Sequence, residues 1–291
     1  MTSSITILFR IAINFCVLAL ILAAGSIATA QAETPVERGA YLVGTIMTCN
    51  NCHTPMGPKG PLFDKQLSGG LVFDMPPFKV TAANITPDRE TGIGTWSDAD
   101  IKQTLRSGIR PNGVVLAGVM PSGFYGILSD PDMDAIVAYL RSVKPISNKV
   151  PAPIYRTAMS REMFPGGDKP MANGGGDSKV MRGFYLATIG HCMECHTPIE
   201  KGRHDFAGRL GVGGQDFPGP WGVSVSRNIT SDPGKGLGKW TDAEIKRAIT
   251  QGISRDGSKL FPPMGFSYYA RMTDADLDAL VAWVRTVPPK D

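Results

Sequence analysis

The chain is poor in cysteine. Its 291 residues hold five, and four of these fall in two tight pairs, Cys49/Cys52 and Cys192/Cys195. The fifth, Cys16, lies in an N-terminal segment with the marks of a removable targeting peptide, so disulfides have no part in holding the mature fold. Charge of one sign is scarce too. Thirty Lys and Arg against 26 Asp and Glu leave a formal net charge of +4, with no block of like charges. That withholds support from a nucleic-acid partner, which calls for a basic patch or stripe. After Ala24 no apolar run approaches the roughly 20 residues that span a bilayer. Paired carboxylates, a nucleophile motif and a second cofactor signature are also missing, so nothing in the sequence marks the chain as an enzyme by itself.

The N-terminal segment has one charge, Arg10, ahead of an apolar run from Ile11 to Ala24. Small residues follow, ending Ala28-Thr29-Ala30-Gln31-Ala32, and both Ala-x-Ala steps fit a signal-peptidase site. Cys16 follows Asn14-Phe15, which is not a lipoprotein-type context. The expectation is a signal peptide over residues 1–32, export, and a mature N-terminus near Gln31 or Glu33. An uncleaved segment would instead act as an anchor.

What is present is one short motif, written twice: Cys49-Asn50-Asn51-Cys52-His53 and Cys192-Met193-Glu194-Cys195-His196. Cys-x-x-Cys-His is the attachment signature of a c-type haem. Two thiols add to the porphyrin vinyl groups, and the two residues between them let both sulfurs face one edge. The following imidazole then lies under the iron as the proximal ligand. A redox dithiol and one zinc site shared by four cysteines are the alternatives. Neither needs a histidine after the second cysteine, and this chain has it twice. Two covalently bound haem c groups are expected. Because thioether attachment occurs outside the cytoplasm, the expected location is the periplasm.

The halves repeat. Arg38 and Arg182 lie 144 positions apart, as do Asn84-Ile85-Thr86 and Asn228-Ile229-Thr230, Trp96 and Trp240, and Tyr125 and Tyr269; Cys49 and Cys192 lie 143 apart. A period of this size means duplicated domains. Each unit reads as a first helix leading into the motif (about Val36 to Thr48, and Ser178 to His191), then a long Gly/Pro-rich stretch that wraps a large planar group. A capped middle helix follows after Ser97 or Thr241, and a last helix after Ser129 or Thr273. Met133, Ile136, Val137 and Leu140 form the apolar stripe of one last helix; Leu277, Leu280, Val281 and Val284 form that of the other. The Pro/Gly-rich connection between the units reads as a surface linker, with enough apolar residues from Ile154 to Phe164 to rest on one unit.

A second axial ligand decides what a haem does. A methionine thioether favours ferrous iron, raises the potential and blocks small molecules. Met120 and Met264 occupy the same place in both units, 67 and 68 residues after His53 and His196, each in a Gly/Pro-rich loop before the last helix. Core packing is the alternative for each. Met75 has no methionine counterpart, and Met133 sits on a core stripe. His191 reads as a neighbour of the motif and His204 as a surface loop residue.

With these residues in place, each half resembles a class I c-type cytochrome. The finer pattern is Asn-Ile-Thr, then Gly92-Ile93-Gly94-Thr95-Trp96 or Gly236-Leu237-Gly238-Lys239-Trp240, then the methionine, a tyrosine and an Asp-rich capped helix. It resembles the cytochrome c subunits of bacterial membrane-bound alcohol, aldehyde and gluconate dehydrogenases. The resemblance implies an all-α fold with two tandem class I cytochrome c domains, at 33–148 and 177–291, joined by a linker at 149–176. It implies a dihaem electron carrier or electron-transfer subunit that takes electrons from a partner dehydrogenase and passes them to an oxidase or another cytochrome of the respiratory chain. It implies that the carbonyls of Pro55 and Pro198 accept the ring N–H of the proximal histidines, that Gly39 and Gly183 let first and last helices cross closely, and that Trp96 and Trp240 lie near haem propionates or in the core. Such subunits commonly have three haem domains and a C-terminal membrane-binding segment. With two domains, membrane contact is expected to be peripheral or through an uncleaved signal segment. The alternative is a dihaem enzyme of peroxidase or thiosulfate-oxidising type, with one open haem site.

Overall fold

The computed structural model of the chain describes residues 32–291, and residues 34–291 form one unit. The targeting segment and Cys16 lie outside the described residues. The first helix, α1 (Pro35–Tyr41), starts at a capping box in which Thr34 and Glu37 satisfy each other's backbone N–H groups. It runs on as a π-helical stretch, Leu42–Ile46. The sequence offers a reason. Arg38 and Cys49 are one residue further apart than Arg182 and Cys192, and a π turn absorbs one extra residue without ending the helix. The guanidinium of Arg271, from the second half, donates to the Gly44 carbonyl in this stretch.

The motif itself is a short helix, α2 (Cys49–His53). Beyond it come a hairpin of β1 (Met56–Gly57) and β2 (Gly60–Pro61), a second of β3 (Val72–Met75) and β4 (Phe78–Thr81), then α3 (Asp98–Ser107) and α4 (Asp130–Ser142). In the connection, β5 (Ile154–Tyr155) adds to β4 as a third antiparallel strand. The second half repeats the order. It contains α5 (Lys179–Ile189), α6 (Cys192–His196), a hairpin of β6 (Ile199–Glu200) and β7 (Arg203–His204), and another of β8 (Asp216–Gly219) and β9 (Gly222–Val225). Then come α7 (Asp242–Gln251), the one-turn α8 (Phe266–Tyr269) and α9 (Asp274–Val284).

The helices follow the sequence signals. Ser97 with Asp100 and Thr241 with Glu244 form the expected capping boxes, and both apolar stripes of the last helices are buried. The all-α expectation needs correcting in the Gly/Pro-rich stretches. Phe73, Phe78 and Val80, like Phe217, Val223 and Val225, lie in four-residue strands closed by tight turns at Pro76-Pro77 and Pro220-Trp221. Strands so short give almost no period-2 signal.

Gly39 and Gly183 do what was expected of them. A Cβ on Gly39 would sit 2.0 Å from the Ala135 carbonyl oxygen, and one on Gly183 would sit 1.9 Å from that of Ala279. Backbone therefore meets backbone where α1 crosses α4 and where α5 crosses α9. Gly183→Ala must push the second pair apart and is expected to cost about 1–3 kcal/mol, seen as a lower midpoint in thermal unfolding.

The halves are joined by a reciprocal polar lock. Asp132 accepts from Arg38 at 2.7 and 3.0 Å and from the hydroxyl of Tyr185, in the other half, at 2.6 Å. Asp276 accepts from Arg182 at 2.8 and 3.0 Å and from the hydroxyl of Tyr41 at 2.9 Å. Both acids also sit at the third helical position, with their amides bonded to the capping Ser129 and Thr273. Burial works to raise the Asp132 pKa, but the bond and charge of Arg38 prevail and hold it below the usual carboxylate value. Burial and the facing carboxylate push the Tyr41 hydroxyl up to about 12 and raise Tyr185 as well.

The connection also departs from expectation. It does not rest on one half alone. Phe164, 3% exposed, stacks on Phe124 of the first half at 5.2 Å and meets Phe206 of the second edge-on at 5.2 Å.

Candidate cofactor site

Each Cys-x-x-Cys-His helix is entered through one residue in the left-handed region, Thr48 (φ 48°) and His191 (φ 43°). A β-branched threonine rarely adopts this conformation, and such strain persists where surroundings over-determine it. Here the second half packs against Thr48: a Cβ on Gly265 would sit 3.4 Å from its methyl group. The sharp turn ends the first helix and starts the motif at once.

The two histidines are fixed alike. His53 Nδ1 lies 2.7 Å from the Ala83 carbonyl, and His196 Nδ1 lies 2.7 Å from that of Arg227. A carbonyl only accepts, so each Nδ1 carries the proton and each Nε2 keeps its lone pair. Burial lowers both pKa values, partly offset by the carbonyl bond, so both rings are neutral at neutral pH. That is the ligating form.

These partners correct the expectation for Pro55 and Pro198. Their carbonyls accept the amides of Leu62 and Asp205 instead, each at 2.9 Å. The residues that matter precede the Asn-Ile-Thr motif, whose role thereby becomes clear. Asn84 Oδ1 accepts from the Thr86 amide (3.0 Å) and hydroxyl (2.7 Å), and its amide group donates to the Ile146 carbonyl at 2.7 Å. Asn228 repeats this with Thr230 and Lys290. The turn so fixed presents the preceding carbonyl to the imidazole and orients it.

No disulfide joins the four motif cysteines. Burial pushes Cys49 and Cys192 up to about 12 and Cys52 up to about 11, and raises Cys195 too. Redox dithiols need a depressed thiol pKa, so this environment speaks against that alternative. Nor does any group of three or more His, Cys, Asp or Glu side chains among the described residues gather to hold a metal ion, which leaves the shared zinc site without geometric support. The two motifs are nevertheless neighbours. The charge of Glu194 acts on Cys52, that of Cys52 acts on Cys195, and Asn51 donates to the Pro263 carbonyl at 3.4 Å.

A cavity of about 1610 Å³ opens beside them. Cys52, Cys192, Cys195, His196, Met120 and Met264 line it, together with Trp240. Small-molecule sites run to roughly 300–1,000 Å³, so this one has room for more than a single small ligand. Cys49 and His53 are not in its lining; Cys49 is half-buried and His53 buried, at 9% exposed. The fit to haem is good. Thiols sit beside neutral imidazoles with free Nε2 atoms, and two thioethers reach an apolar space. Met75 lines the cavity from an exposed strand end, while Met133 is buried in the core. His191 bonds Glu194 within the motif at 2.9 Å. His204 is not a plain surface residue: its Nδ1 lies 2.6 Å from Glu162 Oε2 and its ring stacks on Phe206. Arg161 and Glu162 of the connection carry no motif and escape sequence reasoning; both line the cavity.

Residues 180–288 match the cytochrome c family, so the second half contains a cytochrome c domain. The chain as a whole is homologous to cytochrome c subunits of dehydrogenases. It is 32% identical to the "Alcohol dehydrogenase (quinone), cytochrome c subunit" of Gluconacetobacter polyoxogenes, over 96% of this chain and 62% of that protein. It is 30% identical to the "Gluconate 2-dehydrogenase cytochrome c subunit" of Pantoea cypripedii, over 88% and 60%. A "Diheme cytochrome c-type" of Cereibacter sphaeroides is 29% identical over 82% of both chains. The chain thus spans about three fifths of the first two relatives.

Proposed function

We propose that this chain is a periplasmic dihaem cytochrome c, in which two class I domains transfer electrons by an outer-sphere route from a partner dehydrogenase toward the respiratory chain. Cys49, Cys52 and His53 hold one haem and Cys192, Cys195 and His196 the other, with Met120 and Met264 as the second axial ligands. The observation that carries this reading is the repeated arrangement of each motif: a pair of half-buried thiols and an imidazole pinned at Nδ1 by a backbone carbonyl, beside a cavity that both methionines reach. Bound haem supplies the one-electron iron couple. The chain's own residues do the rest. The pinned imidazoles present Nε2, the thioethers favour the ferrous state, and the surrounding apolar side chains exclude water. The names of the relatives support a dehydrogenase as electron donor.

The test is cofactor load. Intact mass of the exported protein is expected to show two covalent haems, and Cys52→Ala or Cys195→Ala is expected to disturb attachment at one site only. A gain of one haem or none sinks the reading.

A further inference from the structure

The two methionine loops match in sequence position but differ in surroundings. After Met264, Ser267, Ala270 and Arg271 are exposed. After Met120, every residue from Pro121 to Ser129 is buried, because the segment joining the halves lies across the loop. Arg161 Nη2 donates to the Ser122 carbonyl at 2.8 Å, and the Phe164 amide donates to the Gly123 carbonyl at 3.2 Å. The Phe164 ring stacks on Phe124. The Glu162 carbonyl comes so near that a Cβ on Gly123 would sit 1.7 Å from it. The residue 144 positions on is Ser267. A side chain stands at this exposed position of the second loop, and none stands where the segment covers the first. Outward, the Glu162 carboxylate bonds the His204 amide and ring at 3.0 and 2.6 Å, fastening the segment to the second half.

We propose that residues 161–164 are positioning residues for Met120: they hold the first methionine loop shut and leave Met264 as the ligand that yields first. This rests on the reading of both methionines as axial ligands. A ligand carried on a loop leaves only when its backbone moves. Moving the first loop breaks two hydrogen bonds and a ring stack, together worth on the order of a hundredfold in the open population. The second loop is tied to the first half instead, by the long, exposed bond from Asn51 to the Pro263 carbonyl at 3.4 Å and by the exposed Arg271 on Gly44. The bonds from Glu162 to His204 keep the segment from travelling with the loop.

The test uses full-length holoprotein with carbon monoxide as the probe. Ferrous Met264→Ala is expected to take up one carbon monoxide rapidly, at the second haem. Adding Gly123→Ala forces a methyl group against the Glu162 carbonyl at a position without positive φ. It is expected to speed uptake at the first haem by on the order of a hundredfold. Arg161→Gln in its place leaves the loop sequence untouched and is expected to give about tenfold. Ser267→Ala is expected to change nothing at the first haem. Amide exchange in the wild type, which does not read iron ligation, is expected to be slower over residues 121–126 than over 265–270. Unchanged uptake at the first haem in both Gly123→Ala and Arg161→Gln, with haem content intact, would overturn the proposal, as would equal exchange in the two loops. A wild type that binds carbon monoxide rapidly at both haems, or lacks the methionine-to-ferric-iron absorption band, would overturn the axial-ligand reading and the proposal with it.

Discussion

Asp132→Ala is expected to cost the holoprotein roughly 3–5 kcal/mol, the range for removing one partner of a buried ion pair. For a chain of this size that lowers the thermal midpoint by on the order of 10 °C. The side chains of Asp132 and Arg38 are only 10% and 19% exposed, so solvent screens this pair little. Tyr185 loses its acceptor as well, and that bond crosses between the halves. Tyr185→Phe, which removes only the crossing bond, is expected to cost about 1–2 kcal/mol. Asp74→Ala breaks pairs whose side chains are 42–50% exposed and is expected to cost under about 1 kcal/mol. Thermal or denaturant unfolding ranks the three, and equal effects would show that burial does not govern these pairs. The dependence on pH has a fixed sign. Because the Asp132 carboxyl lies below its unfolded value of about 3.9, its contribution is complete above that pH and is lost as the pH falls through the lower, folded value.

Met120→Ala and Met264→Ala are each expected to lower the potential of one haem by on the order of 0.1–0.2 V, a fraction of the roughly 0.8 V that axial ligation spans. Loss of the thioether removes its preference for ferrous iron and opens a coordination position. A redox titration is expected to show one midpoint moved and the other in place, with carbon monoxide binding gained at the moved haem. The wild type is the sharper measurement. On the proposed ligation by both thioethers, carbon monoxide and peroxide are expected to react slowly at both haems. Rapid binding or fast peroxide turnover at one haem would favour the dihaem enzyme over the relay.

Most of the helical frame was legible in the sequence because its signals are local. Ser97, Thr241, Ser129 and Thr273 announce helix starts within four residues of the caps. The glycines at the crossings were legible through their alignment across the repeat. The motif cysteines and histidines stood out as candidates because the proposed haem attachment asks for their five-residue spacing. What escaped depends on groups distant in the chain. The partners of His53 and His196 come from 30 and 31 positions away, carried in by hairpins too short to register as strands. The role of Glu162 rests on His204, 42 positions on. Asp132 and Asp276 advertised themselves as capping residues, and nothing local showed that a tyrosine from the opposite half would share them. The single offset of 143 among offsets of 144 was visible, but its meaning, a π turn before the first motif, needed the backbone.

The reciprocity of the lock has a further consequence. Tyr41 reaches Asp276 while Tyr185 reaches Asp132, each residue and its repeat swapping roles. That is the signature of an isologous contact, the self-complementary kind by which two copies of one subunit associate about a two-fold axis. The chain therefore has the logic of a symmetric homodimer fused through a tether, its association made intramolecular and independent of protein concentration. Fusion also releases a constraint that symmetry imposes on a true dimer. Two identical subunits must change together, whereas here one copy keeps Gly123 beneath the tether and the other bears Ser267 in the open, so the two sites are free to become unlike.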